Sequence, residues 1–162
     1  MKNSNTEGKK FEQDFQNSIP DNVYHYRLKD GTAGFAGQKN ENVRFQATND
    51  FDFFLHADTK LFGLELKSVA DKRLPFSNIS KNQWEGLYKI SLYKNCYGYF
   101  LVNFRSIEKT YAIEIHEMIF FRDNTTKKSI NVEECERIGK LIPQKKKVSR
   151  YTYDLTELLK GE

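Results

Sequence analysis

The segment FGLELKS, residues 62–68, constrains what this chain can fold into more than any other. Apolar and polar residues alternate along it, and in an extended strand alternate side chains point to opposite faces. Leu64 and Leu66 therefore point one way, into a core, while Glu65 and Lys67 share the other face. A strand this apolar that presents a carboxylate and an amine side by side has a polar pairing to make.

The flanking pattern predicts a mixed α/β domain. Residues 6–19 predict a helix, with Phe11 and Phe15 four apart on one face and Pro20 as its stop. Residues 23–30 predict a short strand. GTAGFAGQKNEN, residues 31–42, carries three glycines and predicts a long loop, a feature more often functional than idle in a compact domain. FDFFLHA and KLFGLELKSV predict two strands joined as a hairpin near Asp58. Residues 78–94 predict a helix with Ile79, Trp84, Leu87 and Ile90 on one side, so Trp84 is expected in the core. CYGYFLVNF, residues 96–104, predicts a buried central strand, and residues 110–115 another. NVEECERIGKLI predicts a helix capped by Asn131, with Glu134 completing a capping box and Gly139 near its end. The segment 144–155 is basic and then aromatic. No internal repeat is visible, and 162 residues fit one domain that buries a core without staples.

The net charge of +4 permits an acidic partner such as nucleic acid without requiring one. Cys96 and Cys135 lack metal-ligand spacing and predict free thiols in a reducing compartment. The segment MKNSNTEGKK is followed by no apolar run, and no stretch approaches membrane-spanning length. The expected location is the cytoplasm.

The chemistry centres on the hairpin. Asp52 precedes Glu65 by a spacing that brings both carboxylates together, D-x(12)-E-x-K. Two close carboxylates repel unless a cation sits between them, and oxygen donors suit Mg²⁺. Such an ion activates water and takes up phosphate charge, and Lys67 on the same face offsets the charge of the pentavalent transition state. The plainer reading is a solvated salt-bridge ladder, since E-x-K is common. Asp50 competes with Asp52 for the first carboxylate, because NDFDFF aligns them at i and i+2. His25, His56 and His116 are scattered and are assigned no chemistry.

DFFL…LFGLELKS, followed by LPFSNISKNQWEGL, resembles the PD-(D/E)xK nuclease superfamily, and within it the RecU-type Holliday junction resolvases of Firmicutes and their phages. GKKFE near the start and KKSINVEECERIG with its basic, tyrosine-rich sequel extend the resemblance from about Gly8 to Leu155. No single motif is specific; their order and spacing are. The resemblance implies a nuclease core of this superfamily: a mixed central sheet flanked by helices, with a protruding stalk. It implies Asp52 and Glu65 as Mg²⁺ ligands, with Mn²⁺ able to substitute. Lys67 stabilises the transition state or orients the water, Gln83 acts at the metal or its water, and Glu12 reaches the site from the first helix. Ser80-x-x-Gln83 is equally a plain capping box, and Glu12 equally a carboxylate favoured by the helix dipole. The family's threonine before the aspartate is absent: Phe51 precedes Asp52 and Asn49 precedes Asp50. Asp52 fits the spacing better.

The resemblance also implies a homodimer acting on a four-way DNA junction. Its stalk corresponds to residues 31–46, with Lys39 and Arg44 on phosphates. Arg27 and Lys29 just upstream, and the run Lys145, Lys146, Lys147 and Arg150, are further expected backbone contacts, although most such runs are merely solvated. The competing functions are a duplex-directed restriction or repair nuclease and a junction-binding module that does not cut.

Overall fold

A computed structural model describes residues 4–29 and 49–161. Segment 31–46, with Lys39 and Arg44, lies outside the described residues. The chain runs α1 (Ser4–Gln16), β1 (Tyr24–Arg27), β2 (Phe53–Ala57), β3 (Lys60–Val69), β4 (Arg73–Pro75), α2 (Lys81–Ser91), β5 (Cys96–Phe104), β6 (Lys109–Glu114), α3 (Ile115–Asp123), β7 (Ser129–Asn131), α4 (Val132–Ile138), β8 (Lys140–Ile142), β9 (Gln144–Lys147) and β10 (Arg150–Tyr153). Six strands form a mixed central sheet in the order β1-β2-β3-β5-β6-β8. Only the β3–β5 pair is parallel, and α2 lies in the crossover between these strands. Helices cover the sheet, as the sequence predicts.

The alternation in β3 sorts the core into two layers. Phe62, Leu64 and Leu66, with Tyr99 and Leu101 of β5, face Phe11 and Phe15 of α1 and the C-terminal Tyr153, Leu155 and Leu158. The opposite face packs Phe100, Val102 and Ile113 against Leu87 of α2, Met118 of α3 and Cys135 of α4. Fully burying each such side chain contributes roughly 1.5–3 kcal/mol. The seat of α2 is set by glycine. A Cβ on Gly98 of β5 would stand 2.4 Å from the Leu87 carbonyl oxygen, so the helix rests on bare strand backbone there.

A second polar feature crosses the α1 face. Arg105 donates to Ser68 Oγ (3.0 Å), which donates to Asn103 Oδ1 (3.0 Å). Asn103 Nδ2 donates to Thr110 Oγ1 (2.9 Å), which donates to Gln144 Oε1 (2.6 Å). This chain ties three sheet strands or their ends to the β9–β10 ribbon.

Some expectations shift. The first helix ends at Gln16 rather than residue 19, and the second spans Lys81–Ser91 rather than 78–94. The strand expected over 110–115 ends at Glu114, whose carboxylate accepts from the His116 N–H (2.7 Å) and starts α3. The predicted capping box of Asn131 and Glu134 forms on α4. Segment 144–155 contains an antiparallel ribbon, β9–β10, turning at Val148, whose φ is +59°. Cys96 and Cys135 are free thiols, Cys135 buried. Among the described residues no helix is long and apolar enough to cross a membrane.

Candidate active site

Asp52 stands one residue before β2, and because Phe53 pairs with Leu64, it lies level with Glu65. Its backbone N–H donates to the Leu64 carbonyl (2.9 Å), and its Oδ2 accepts from the Leu66 N–H (2.8 Å). The hairpin thus holds the Asp52 carboxylate from both its backbone and its side chain. Glu65 is 3% exposed. Its Oε1 accepts from Lys67 Nζ (2.9 Å) and from Gln83 Nε2 (2.6 Å).

Gln83 serves two structures with one carboxamide. Its Oε1 accepts from the Ser80 N–H (2.9 Å) and from Lys67 Nζ (2.9 Å), while its backbone N–H donates to Ser80 Oγ (3.3 Å). The capping box and the contact with Glu65 and Lys67 therefore coexist. The cap orients the amide, and the oriented amide bridges the strand residues to the start of α2.

Glu12 comes from α1 on the opposite core layer and is gripped by Arg27, with Nε at 3.0 Å and Nη2 at 2.5 Å from its Oε2. Its negative charge acts on both Asp52 and Glu65. Asp50 goes elsewhere. The chain bends between Asp50 and Asp52, so strict alternation does not carry across, and the Asp50 Cβ packs against α2 where a Cβ on Gly86 would approach it to 2.4 Å. Asp50 borders an apolar groove with Phe54 and Ile90.

The electrostatics are unbalanced. Burial pushes the Asp52 carboxyl up to about 6, with Glu12 adding to the effect, while the Leu66 N–H, Lys67 and Arg27 pull the other way. Burial and then the charge of Asp52 push Glu65 up to about 8, against the pull of Lys67. Near neutral pH the pair holds a proton more readily than two negative charges. Among the described residues, the buried side-chain atoms that find no hydrogen-bond partner are Glu65 Oε2 and the Tyr111 hydroxyl. An orphaned buried carboxylate oxygen is costly unless a ligand completes it. The donors here are oxygens, two of them carboxylates with raised affinity for positive charge, and this set fits a hard divalent cation such as Mg²⁺. Among the described residues no group of three His, Cys, Asp or Glu side chains converges.

The expected DNA contacts divide. Arg27 lies beside the carboxylates. Lys29 is exposed, and its carbonyl accepts from Asn49 Nδ2 (2.6 Å). Lys145, Lys146, Lys147 and Arg150 lie on the β9–β10 ribbon. Lys146 pairs with Glu108 (2.6 Å) and Arg150 with Asp14 (2.5 Å), and Lys145 and Lys147 are exposed. The sequence reading omits Asp14, although its place on the Phe11–Phe15 side of α1 signals burial. It is 3% exposed and anchors the ribbon through Arg150 Nε and the Tyr151 N–H (3.0 Å).

A family model described as Recombination protein U, RecU, matches residues 33–154. An SPbeta prophage-derived uncharacterized protein of Bacillus subtilis (strain 168), YotM, is 31% identical over 171 residues, covering 96% of this chain and 86% of the relative. Hjc, a Holliday junction resolvase of Archaeoglobus fulgidus, superimposes with a TM-score of 0.47 at 12% identity, over 74% of this chain and 83% of that one.

Proposed function

The chain belongs to the recombination protein U (RecU) family, and on that premise we propose that it is a Mg²⁺-dependent, structure-selective DNA endonuclease that resolves Holliday junctions by paired nicks. The observation that carries the reading is Glu65 Oε2: a buried, unpartnered carboxylate oxygen beside Asp52, with Lys67 at 2.9 Å from its sister oxygen.

Asp52 and Glu65 would hold the cation, and Gln83 fixes the rotamer of Glu65. A divalent ion bound there lowers the pKa of water and offsets phosphate charge. Lys67 contributes the rest. Its ammonium is already directed by Glu65 and Gln83, so it faces the developing phosphorane charge without reorganising. Glu12, held by Arg27, supplies a further acceptor at the edge of the site. A two-fold dimer presents two such sites to strands of opposite position, which explains paired nicks. Arg27, Lys29, Lys145 and Lys147 position the phosphate backbone without reading sequence.

The test is cleavage of a synthetic four-way junction in Mg²⁺, set beside linear duplex of the same sequence. Symmetric nicks confined to the junction support the reading. Equal cutting of linear duplex moves the protein to a restriction or repair nuclease, and tight junction binding without cutting makes it a binding module.

A further inference from the structure

The fold places a second cationic feature beside the active-site strand. A cleft of about 560 Å³ is lined by Lys72, Arg73, Lys127 and Lys128, together with Glu133 and Glu134. We infer that this cleft is a phosphate site that grips the backbone of a DNA arm flanking the reacting phosphate, an inference that rests on the nuclease reading above.

The cations are carried on a rigid element. The β4–β7 ribbon turns Leu74 and Ile130 inward, both 0% exposed and paired across it. Alternation then turns Arg73 and Ser129 outward. Both corners of the ribbon are closed by backbone hydrogen bonds: the Lys72 carbonyl accepts from the Val132 N–H (3.2 Å) and the Lys128 carbonyl from the Phe76 N–H (2.9 Å). The stems of Lys72 and Lys128 therefore start from fixed points, and less entropy is lost on binding than from a free loop.

The charges do not cancel. Glu134 is committed within the fold: its Oε1 takes Lys127 Nζ, and its Oε2 takes the Asn131 N–H (2.9 Å). That leaves Lys72, Arg73 and Lys128 against Glu133. The position gives the ligand class. Arg73 follows Lys67 by six residues, and β4 packs against β3, so the cleft lies at the end of the strand that carries Glu65 and Lys67. Duplex DNA carries a negative charge about every 1.7 Å of its axis, so an arm seated at the carboxylates brings neighbouring phosphates within reach.

The test is junction binding in EDTA over a salt series, which reads affinity apart from cleavage. For the triple variant Lys72→Ala/Arg73→Ala/Lys128→Ala, affinity should fall on the order of tenfold or more at 0.15 M salt, and the slope of log K against log salt should become shallower by about 2–3. Glu133→Ala should bind several-fold more tightly, a gain that misfolding does not produce. Unchanged affinity and slope in both variants overturn the inference and leave the nuclease reading standing. A patch-dependent slope on a protein that never nicks junctions supports the cleft and removes the resolvase reading. A wild type that binds no DNA overturns both.

Discussion

Two polar networks are buried on opposite faces of the same sheet, and they are built differently. Ser68, Asn103, Thr110 and Gln144 form a chain of neutral groups, headed by the partly exposed Arg105 guanidinium, in which each bonded donor meets an acceptor. Asp52, Glu65, Lys67 and Gln83, one residue away along β3, bury two carboxylates for one ammonium and leave Glu65 Oε2 unpaired. Satisfied networks rigidify a core; an unsatisfied charged one costs stability unless something outside the chain completes it. The contrast separates a structural device from a candidate site without reference to any motif.

The sharpest way to break this contrast is at the ammonium. Lys67→Ala should lower junction nicking by about 10²–10³-fold with binding in EDTA retained. Nicking within tenfold of wild type would mean that the unsatisfied network is not where the chemistry occurs. Next in size, Asn103→Leu leaves Ser68 and Thr110 without their partner in a closed chain. It should cost about 2–3 kcal/mol by urea unfolding, with nicking per folded molecule unchanged. Loss of nicking in a folded Asn103→Leu protein would merge the two networks into one site.

The third prediction concerns protons. Asp52 and Glu65 both bind their proton more tightly folded than unfolded, from ordinary values of 3.8 and 4.5 to about 6 and about 8. The folded state therefore carries more protons across that window, and stability of the metal-free protein falls as pH rises through it. Calorimetry should show Tm declining from pH 5 to pH 8, with the decline flattened in Glu65→Gln. Millimolar Mg²⁺ should raise Tm more at pH 8 than at pH 5. A metal-free Tm that is flat or rises over this range would contradict the imbalance on which the comparison rests. The smallest effect belongs to Gln83→Ala. The Ser80 Oγ cap on the residue-83 N–H survives, but the bond from the Ser80 N–H to the Gln83 carboxamide is lost, which should cost about 1 kcal/mol in unfolding free energy. Glu65, freed from Nε2, should also bind Mg²⁺ more weakly by calorimetric titration.

Much of this was legible in the sequence because local rules carry it. Period-two alternation in 62–68 placed Leu64 and Leu66 in one core layer and aimed Glu65 and Lys67 at the other. The Asn131 box is a matter of residue types three apart. What the sequence hid is tertiary. Helix α3 runs Ile119, Phe120 and Phe121 together, a pattern without helical periodicity, and is started by a glutamate inside the apolar run that predicts a strand over 110–115. The turn of β9–β10 is built on Val148 at positive φ, where turn chemistry anticipates glycine or asparagine. Strands β4, β7 and β8 have three residues each, too few for a periodic signal, and exist because partners pin them. Asp50 and Asp52 are indistinguishable by alternation. The bend between them and the approach of α2 at Gly86 separate them.

The anchoring of the ribbon to α1 has a consequence for how the protein is made. Asp14 meets Arg150 and Tyr151, and Phe11 packs edge-on to Tyr153 at 5.5 Å between ring centroids, across most of the sequence. During synthesis α1 leaves the ribosome well before the residues that cover it, which lie as far along the chain as Leu158. At about 5–20 residues per second, α1 waits many seconds for its cover. Glu12 rides on that helix, so a nascent chain carries Asp52, Glu65 and Lys67 well before its first helix has a settled seat. Contacts this distant in sequence also slow folding. The seat of Glu12 therefore waits on residues 136 and 137 positions further along the chain than the aspartate that anchors them.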